Sequence, residues 1–168
     1  MSHDGFDRLV QRSDPAMVIV TASNGVERSG CLVGFHSQCS IEPPRYAIWI
    51  SRANHTFTIV ETAEHLGVHF LTAADRQLAE LFGTASGDDV DKFAGLHVDE
   101  TMLGVPVLTA CAERMVVRRV GWIDDGEGDH VGVVTEPVEA AAGGATAGPL
   151  RLSDVDDLSA GHDADEAS

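Results

Sequence analysis

The sequence lacks a long hydrophobic run, because its longest uninterrupted apolar stretch is only Ala16–Val20. A helix that crosses a bilayer needs about 20 apolar residues, so no transmembrane span is predicted. The N-terminal segment MSHDGFDRLVQRSD is polar and mixed in charge, and it has no apolar stretch of the kind that a secretory signal requires. These absences predict a cytoplasmic protein that does not associate with a membrane.

Positive charge is also scarce. The chain has 27 acidic and 11 basic residues, its net charge is −16, and Lys92 is its only lysine. Binding to a phosphate backbone depends on a clustered positive field, so this balance argues against nucleic acid as a partner. An anionic ligand would have to be met by local arginines.

Cysteine is too rare for a disulfide scaffold, since Cys31, Cys39 and Cys111 are an odd number without regular spacing. Reduced thiols are expected. Cys31 and His36 would point to opposite faces of a strand, and no second pair has zinc-like spacing, so no metal site is predicted. The motifs G-x-S-x-G, P-loop and G-x-G-x-x-G are missing, which excludes the common hydrolase, nucleotidase and Rossmann interpretations.

What the sequence does contain is a series of β-type segments. An apolar run at 16–23 ends at Asn24-Gly25, a strong signal for a hairpin turn, and a second strand should follow at about 26–35. Further strands are predicted at 45–51 and 66–72. Two long β-type runs, 110–124 and 129–140, are separated by an acidic, glycine-rich turn at 124–128.

Helices are expected between these strands. Residues 54–63 have Asn54 or Thr56 as a cap, residues 72–83 end at Gly83, and 88–95 form a third, short helix. This order predicts a mainly β fold, an antiparallel barrel with helical insertions in one domain at 1–152. Residues 153–168 are acidic and poor in large apolar groups, which predicts a disordered tail.

The stretch SGCLVGFHSQCSIEPPRYAIWIS, residues 29–51, places small polar groups between two apolar runs. Hydroxyl, amide and backbone groups where a chain leaves a barrel can hold a flat polar ligand. On the residues alone, polar groups such as those of Ser37 to Ser40 are most often those of an ordinary loop that satisfy the ends of the backbone.

An ordered series of motifs resembles the flavin reductase-like family of FMN-binding split barrels, from about Asp14 to Glu139. It consists of G-x-x-V-x-x-x-S-x-x-S-I-E-P-P at 30–44, S-R-A-N-H-T at 51–56, D-K-F-A-G at 91–95, G-V-P-V-L at 104–108 and G-D-H at 128–130. The resemblance implies a six-stranded antiparallel split β-barrel with Greek-key-like order. It also implies a homodimer with the flavin beside the subunit interface.

The resemblance further implies a set of site residues. The segment that wraps the flavin is Leu32, Val33, Gly34, Phe35, His36, Ser37, Gln38, Cys39 and Ser40. The turn that holds the flavin phosphate contains Ser51, Arg52, Asn54, His55 and Thr56, and a helix N-terminus there would attract an anion. Lys92 and Phe93 lie on a loop that flanks the flavin in relatives. His130 is the expected catalytic residue, placed near the nicotinamide.

One segment departs from the family pattern. Relatives commonly carry Thr-Val-Ser-Ser-Phe where this chain has Leu32-Val33-Gly34-Phe35-His36. Hydroxyl contacts to the ring are therefore missing, and backbone N–H groups from 34–39, or His36, are the expected donors near flavin N1. Gly34 would permit close approach.

The implied activity is reduction of FMN or FAD by NADH or NADPH, with hydride transfer from nicotinamide C4 to flavin N5. The reduced flavin would be supplied to a monooxygenase partner. Two alternatives remain open at this stage: a flavoprotein that holds FMN, or a deazaflavin, tightly and passes electrons to another acceptor, and a flavin carrier without enzymatic activity.

Overall fold

The computed structural model describes residues 4–85 and 90–159. Three α-helices lie in this part of the chain: α1 Asp4–Gln11, α2 His55–Thr62 and α3 Arg76–Thr84. The strands are β1 Val18–Ser23, β2 Arg28–Val33, β3 His36–Ser40, β4 Arg45–Ser51, β5 His65–Phe70, β6 Val98–Glu100, β7 Pro106–Leu108, β8 Arg114–Ile123 and β9 His130–Ala141. Short 3₁₀ turns occur at Ala73–Asp75 and Leu152–Asp154.

The main sheet is antiparallel throughout and has the order β2-β1-β5-β8-β9-β4-β3. Strands β2 and β3 form the two edges of the sheet, although only Gly34 and Phe35 separate them along the chain. A connection this short requires the edges to lie close together, so the sheet curls into a half-barrel. The seam between the two edges is the place where a ligand can reach the barrel.

The strand count differs from the predicted six, because the main sheet has seven strands and β6 pairs with β7 in a separate hairpin. The additional strand of the main sheet is β3, in which His36 pairs with Ile48 and Ser37 with Ala47. Its sequence, HSQCS, is polar and lacks the apolar alternation that signals a strand. An edge strand tolerates this composition because much of its surface faces solvent.

The helix predicted at 88–95 is absent from the described part of that segment. Residues 92–95 form turns, the Asp91 carboxylate accepts the N–H of Phe93 at 3.0 Å, and Gly95 has φ +80°. An aspartate that bonds to the backbone two residues ahead favours a turn over a helix. Residues 88 and 89 of the predicted helix lie outside the described residues. Helix α1 was not predicted.

The buried apolar side chains of the described residues form two large clusters and a small one, and β1 contributes to both large clusters. Val18 and Val20 belong to the first cluster, inside the barrel, whereas Ile19 belongs to the second, under α3. Burial on both faces explains why the sequence of β1 is a continuous apolar run without alternation.

The tail predicted to begin at 153 is packed in its first part. Val155 is buried in the second cluster, Asp157 forms an ion pair with Arg76, and the Ser153 hydroxyl bonds to the Asp14 carboxylate. Val155 and Leu158 pack into the second cluster, and the acidic composition of the segment did not indicate these contacts. Residues 160–168 lie outside the described residues.

Within the described ranges, none of the helices has the length and apolar character that a membrane-spanning helix requires.

Candidate functional site

A cavity of about 340 Å³ opens at the barrel seam, where the end of β2, the end of β4 and the start of β9 meet. Its lining residues are Met17, Cys31, Leu32, Val33, Gly34, Phe35, Trp49, Ile50, Ser51, Asn54, Asp129, His130 and Leu152. The volume lies within the range of about 300–1,000 Å³ that is usual for small-molecule sites. Three segments that are distant in sequence therefore converge on one space.

The β2 end of the cavity is formed by backbone as much as by side chains. The N–H of Trp49 donates to the carbonyl of Phe35 at 2.8 Å, which fixes the connection between the two sheet edges. A Cβ added to Gly34 would meet the Met17 Sδ at 3.3 Å. The small residue thus keeps this wall open to a ligand.

The bend between β4 and α2 supplies a polar wall. The Asn54 side chain caps α2 by accepting the N–H of Thr56 at 2.9 Å, and the N–H of Asn54 donates to the Ser51 carbonyl at 3.1 Å. The buried Thr56 hydroxyl bonds to the Ser29 hydroxyl at 2.9 Å, which ties α2 to β2. The positive end of the helix dipole is consequently held beside the cavity.

Of this bend, Ser51 and Asn54 line the cavity and the other predicted residues do not. The His55 imidazole Nε2 lies 3.1 Å from a Glu27 carboxylate oxygen. Arg52 is directed at the β8–β9 turn, where its Nε donates to the Gly128 carbonyl at 3.0 Å and its Nη2 pairs with the Asp124 carboxylate. This ion pair lowers the pKa of Asp124.

His130 begins β9 and lines the cavity. Its role near a nicotinamide stays a prediction. Its Nδ1 lies 2.9 Å from the Asp129 Oδ1, and this hydrogen bond lowers the pKa of Asp129. The imidazole lies beside the Phe35 ring, with 5.2 Å between the ring centres. Its backbone is held by the ladder between β4 and β9, in which it pairs with Ser51.

His36 points away from the cavity, in contrast to its expected contact with the flavin. Its Nε2–H donates to the Ala16 carbonyl at 2.7 Å. Nδ1 of the neutral ring therefore accepts a hydrogen bond from the Tyr46 hydroxyl, 2.6 Å away. Burial lowers the pKa of His36 and raises the pKa of Tyr46 to about 12. The histidine thereby links β3 and β4 to the start of β1.

The rest of the expected wrapping segment follows the outer edge of the sheet. Ser37, Gln38 and Cys39 are exposed, and the Ser37 hydroxyl and the Gln38 amide bond to local backbone carbonyls. Neither they nor Ser40 line the cavity. The physical reason is the added strand β3, which runs along β4 and carries the chain away from the cavity after Phe35.

Lys92 and Phe93 lie in the interior and not at the cavity. The Lys92 Nζ donates to the carbonyls of Gly30 at 3.0 Å and Phe82 at 3.3 Å, and burial lowers its pKa. The Phe93 ring packs edge-on against Phe82, with centres 5.5 Å apart, and the Arg28 guanidinium lies 4.7 Å from its centre. Lys92 thus bonds to β2 and α3, and Phe93 packs against α3.

The cavity also contains residues that were not among the predicted site residues: Met17, Cys31, Trp49, Ile50, Asp129 and Leu152. Burial raises the pKa of the Cys31 thiol to about 11, so this cysteine is neutral and not a nucleophile.

The lining suits a flat ring with a polar edge. Leu32, Val33 and Trp49 offer apolar surface, Gly34 leaves the backbone accessible, and Ser51 and Asn54 place polar groups at one end. The apolar walls and the few convergent polar groups are typical of a cofactor site. The residues present therefore fit a flavin ring, whereas the arginine expected at the phosphate already has protein partners.

Residues 12–154 match the model of the flavin reductase like domain. The chain belongs to the flavin reductase-like family. A curated relative, the high molecular weight rubredoxin of Moorella thermoacetica, is 28% identical over 93 residues, which are 55% of this chain and 41% of that protein. The match thus spans less than half of that relative.

Solved structures share the fold. A flavin reductase domain protein from Arthrobacter sp. FB24 has a TM-score of 0.75 at 22% identity, over 86% of this chain and 87% of that one. A NADH:FAD oxidoreductase from Streptomyces globisporus C-1027 has a TM-score of 0.73 at 17% identity, over 86% and 87%. Nitrilotriacetate monooxygenase component B from Mycobacterium thermoresistibile has a TM-score of 0.74 at 18% identity, over 84% and 76%. At these identities the likeness establishes the fold.

Proposed function

We propose that the protein is a flavin reductase that oxidises NADH or NADPH and reduces FMN or FAD at the seam cavity. The observation that carries the proposal is the convergence of Leu32–Phe35, the Ser51–Asn54 bend and His130 on one space. The resemblance to the family implies separate roles for these three segments, at the flavin ring, its phosphate and the nicotinamide. Membership in the flavin reductase-like family supports an oxidoreductase of this kind.

A bound flavin would supply a two-electron acceptor, and the protein would act mainly by positioning. Leu32 to Phe35 would lie along the flavin ring with their backbone N–H groups at its edge. Ser51 and Asn54 would meet the polar tail near the α2 N-terminus. The apolar side chains of Met17 and Leu152 would keep water from the ring.

His130 is the proposed contact to the nicotinamide. Asp129 engages Nδ1, so Nε2 is the nitrogen that can donate to or accept from the carboxamide. Phe35, 5.2 Å from the imidazole, would limit how far the nicotinamide can tilt. The role is to orient the hydride donor, because hydride transfer needs the two reacting atoms about 3–3.5 Å apart.

The direct experiment is a turnover assay. Purified protein is mixed with FMN or FAD and with NADH or NADPH, and the loss of nicotinamide absorbance is compared with a control that lacks protein. Oxidation of the nicotinamide above the control supports the proposal, and no oxidation with any of the four pairs contradicts it. Absorbance and mass spectrometry of the protein as purified then separate a bound prosthetic flavin from a diffusible substrate.

Further parts of the proposal concern partners. Supply of reduced flavin to a monooxygenase is supported by the shared fold with nitrilotriacetate monooxygenase component B. Release of reduced flavin can be tested with the enzyme and an electron acceptor placed on opposite sides of a dialysis membrane. The homodimer and the cytoplasmic location are also proposals, and sedimentation velocity would measure the first of them.

A further inference from the structure

We infer that Arg52 is a positioning residue for His130: it fixes the β8–β9 turn against the β4–α2 bend so that the imidazole faces the cavity. The role assigned to Arg52 by resemblance was contact with the flavin phosphate. The inference rests on the proposed function, because it concerns the orientation of the residue proposed to hold the nicotinamide.

Three bonds connect Arg52 to the segment that leads into His130. The N–H of Arg52 donates to the Asp129 carbonyl at 2.9 Å, and its Nε donates to the Gly128 carbonyl at 3.0 Å. Its Nη2 forms the ion pair with Asp124. The first bond comes from the main chain, so the Arg52 side chain itself holds the Gly128 carbonyl and the far side of the turn.

Apart from the β4–β9 ladder, in which Ser51 pairs with His130, the other side-chain bonds of the turn among the described residues are local. The Asp124 Oδ1 accepts the N–H of Gly126 at 2.8 Å, and the Asp125 Oδ1 accepts those of Glu127 and Gly128 at 3.0 and 2.9 Å. These bonds shape the turn but do not fix its position relative to β4.

The contact between Arg52 and the β8–β9 turn also balances charge. Residues 124–129 contain four carboxylates and no basic side chain, and the guanidinium of Arg52 is paired with one of those carboxylates. Removal of Arg52 would leave these carboxylates to repel one another at the mouth of the cavity. Removal of the Asp124 charge would instead release the guanidinium. The two changes therefore break the same contact but have opposite effects on charge.

The experiment compares Arg52→Gln, Asp124→Asn and the double variant, with Arg45→Gln as a matched control. Arg45 lies at the other end of β4 and also forms an ion pair with a carboxylate, that of Glu136. The measurements are kcat and KM for NADH, and the Kd values of FMN and riboflavin from flavin fluorescence. Thermal melting establishes that each variant is folded.

We expect Arg52→Gln and Asp124→Asn each to raise KM for NADH about tenfold, with kcat changed less than about twofold. The double variant should be no worse than Arg52→Gln, because both changes remove one interaction. The ratio of the FMN and riboflavin Kd values should stay within about twofold of wild type in all variants. Arg45→Gln should leave all of these values unchanged.

A different pattern would overturn the inference. If Arg52→Gln weakens FMN more than riboflavin while Asp124→Asn does not, Arg52 is a phosphate ligand. If neither variant changes KM for NADH, Arg52 does not position His130.

Failure of the proposed function is recognised separately, because the wild-type protein would then oxidise no NADH or NADPH. The side-chain NMR resonances of His130 decide the inference in that case. Shifts in Arg52→Gln and Asp124→Asn, but not in Arg45→Gln, would support the positioning role. Unchanged resonances in the first two variants would contradict it.

Discussion

The buried histidine of β5 makes the stability of the fold depend on pH in a way that can be measured. His69 is fully buried, and its two ring nitrogens have fixed roles. Nδ1–H donates to the Ile19 carbonyl at 3.1 Å, and Nε2 accepts the N–H of Leu108 at 3.0 Å. A proton on Nε2 would remove this acceptor and place two N–H groups against each other, so the folded protein needs the neutral ring.

Burial lowers the pKa of His69 from 6.5 to about 4, the Ile19 carbonyl opposes this, and the charge of Arg114 adds to it. Because the unfolded chain binds the proton more tightly, stability is complete above about pH 6.5 and is lost as the pH falls towards 4. At 1.36 kcal/mol per pH unit, the full loss is about 3 kcal/mol. About 2 kcal/mol of it should already be lost at about pH 5.

Urea unfolding at several pH values between about 8 and 5 tests this linkage. His69→Gln removes the titrating group, and His97→Gln, at an exposed position, is the control. Between these two pH values, wild type and His97→Gln should lose about 2 kcal/mol more of the free energy of unfolding than His69→Gln does. An equal loss in all three proteins would refute the assignment. An NMR titration of His69 in the wild type provides a check that is independent of the variants.

Three further results are expected. His130→Ala should raise KM for the nicotinamide about tenfold without weakening FMN binding, and an unchanged KM would remove His130 from the proposed site. Gly34→Val should place methyl groups at the cavity wall near Met17 and raise the flavin Kd at least about tenfold in a fluorescence titration. His36→Phe should leave the Tyr46 hydroxyl without its acceptor and cost about 1–3 kcal/mol in urea unfolding. Its flavin Kd should not change, whereas a large increase would place His36 at the flavin.

The sequence predicted the strands that carry apolar side chains, because their burial appears directly in composition. The run that became β1 and the hairpins at Asn24-Gly25 and 124–128 were confirmed. The edge strand β3 was missed, since it is stabilised by the backbone ladder to β4 and not by apolar packing. A pattern of hydrophobicity cannot detect a strand of that kind.

The site was predictable at the level of segments and not at the level of side chains. The three segments do line one cavity, but Arg52 points to the β8–β9 turn and His36 to Tyr46. Lys92 is buried and donates to the carbonyl of Gly30, a contact that the local motif at 91–95 does not indicate. Which way a side chain points depends on pairing partners that are distant in sequence.

The composition of the cavity wall has a consequence for how a flavin would be held. Of the thirteen lining residues, Asp129 and His130 are the only ones with titratable carboxyl or imidazole groups, and none is an arginine or a lysine. In a protein of net charge −16, attraction of the phosphate is then limited to the α2 N-terminus and neutral polar groups. Ring burial, at about 25 cal/mol per Å² of apolar surface, must supply most of the affinity. A site that holds the ring more strongly than the charged tail would accept FMN and FAD with similar strength, and this property suits an enzyme that takes up and releases its flavin.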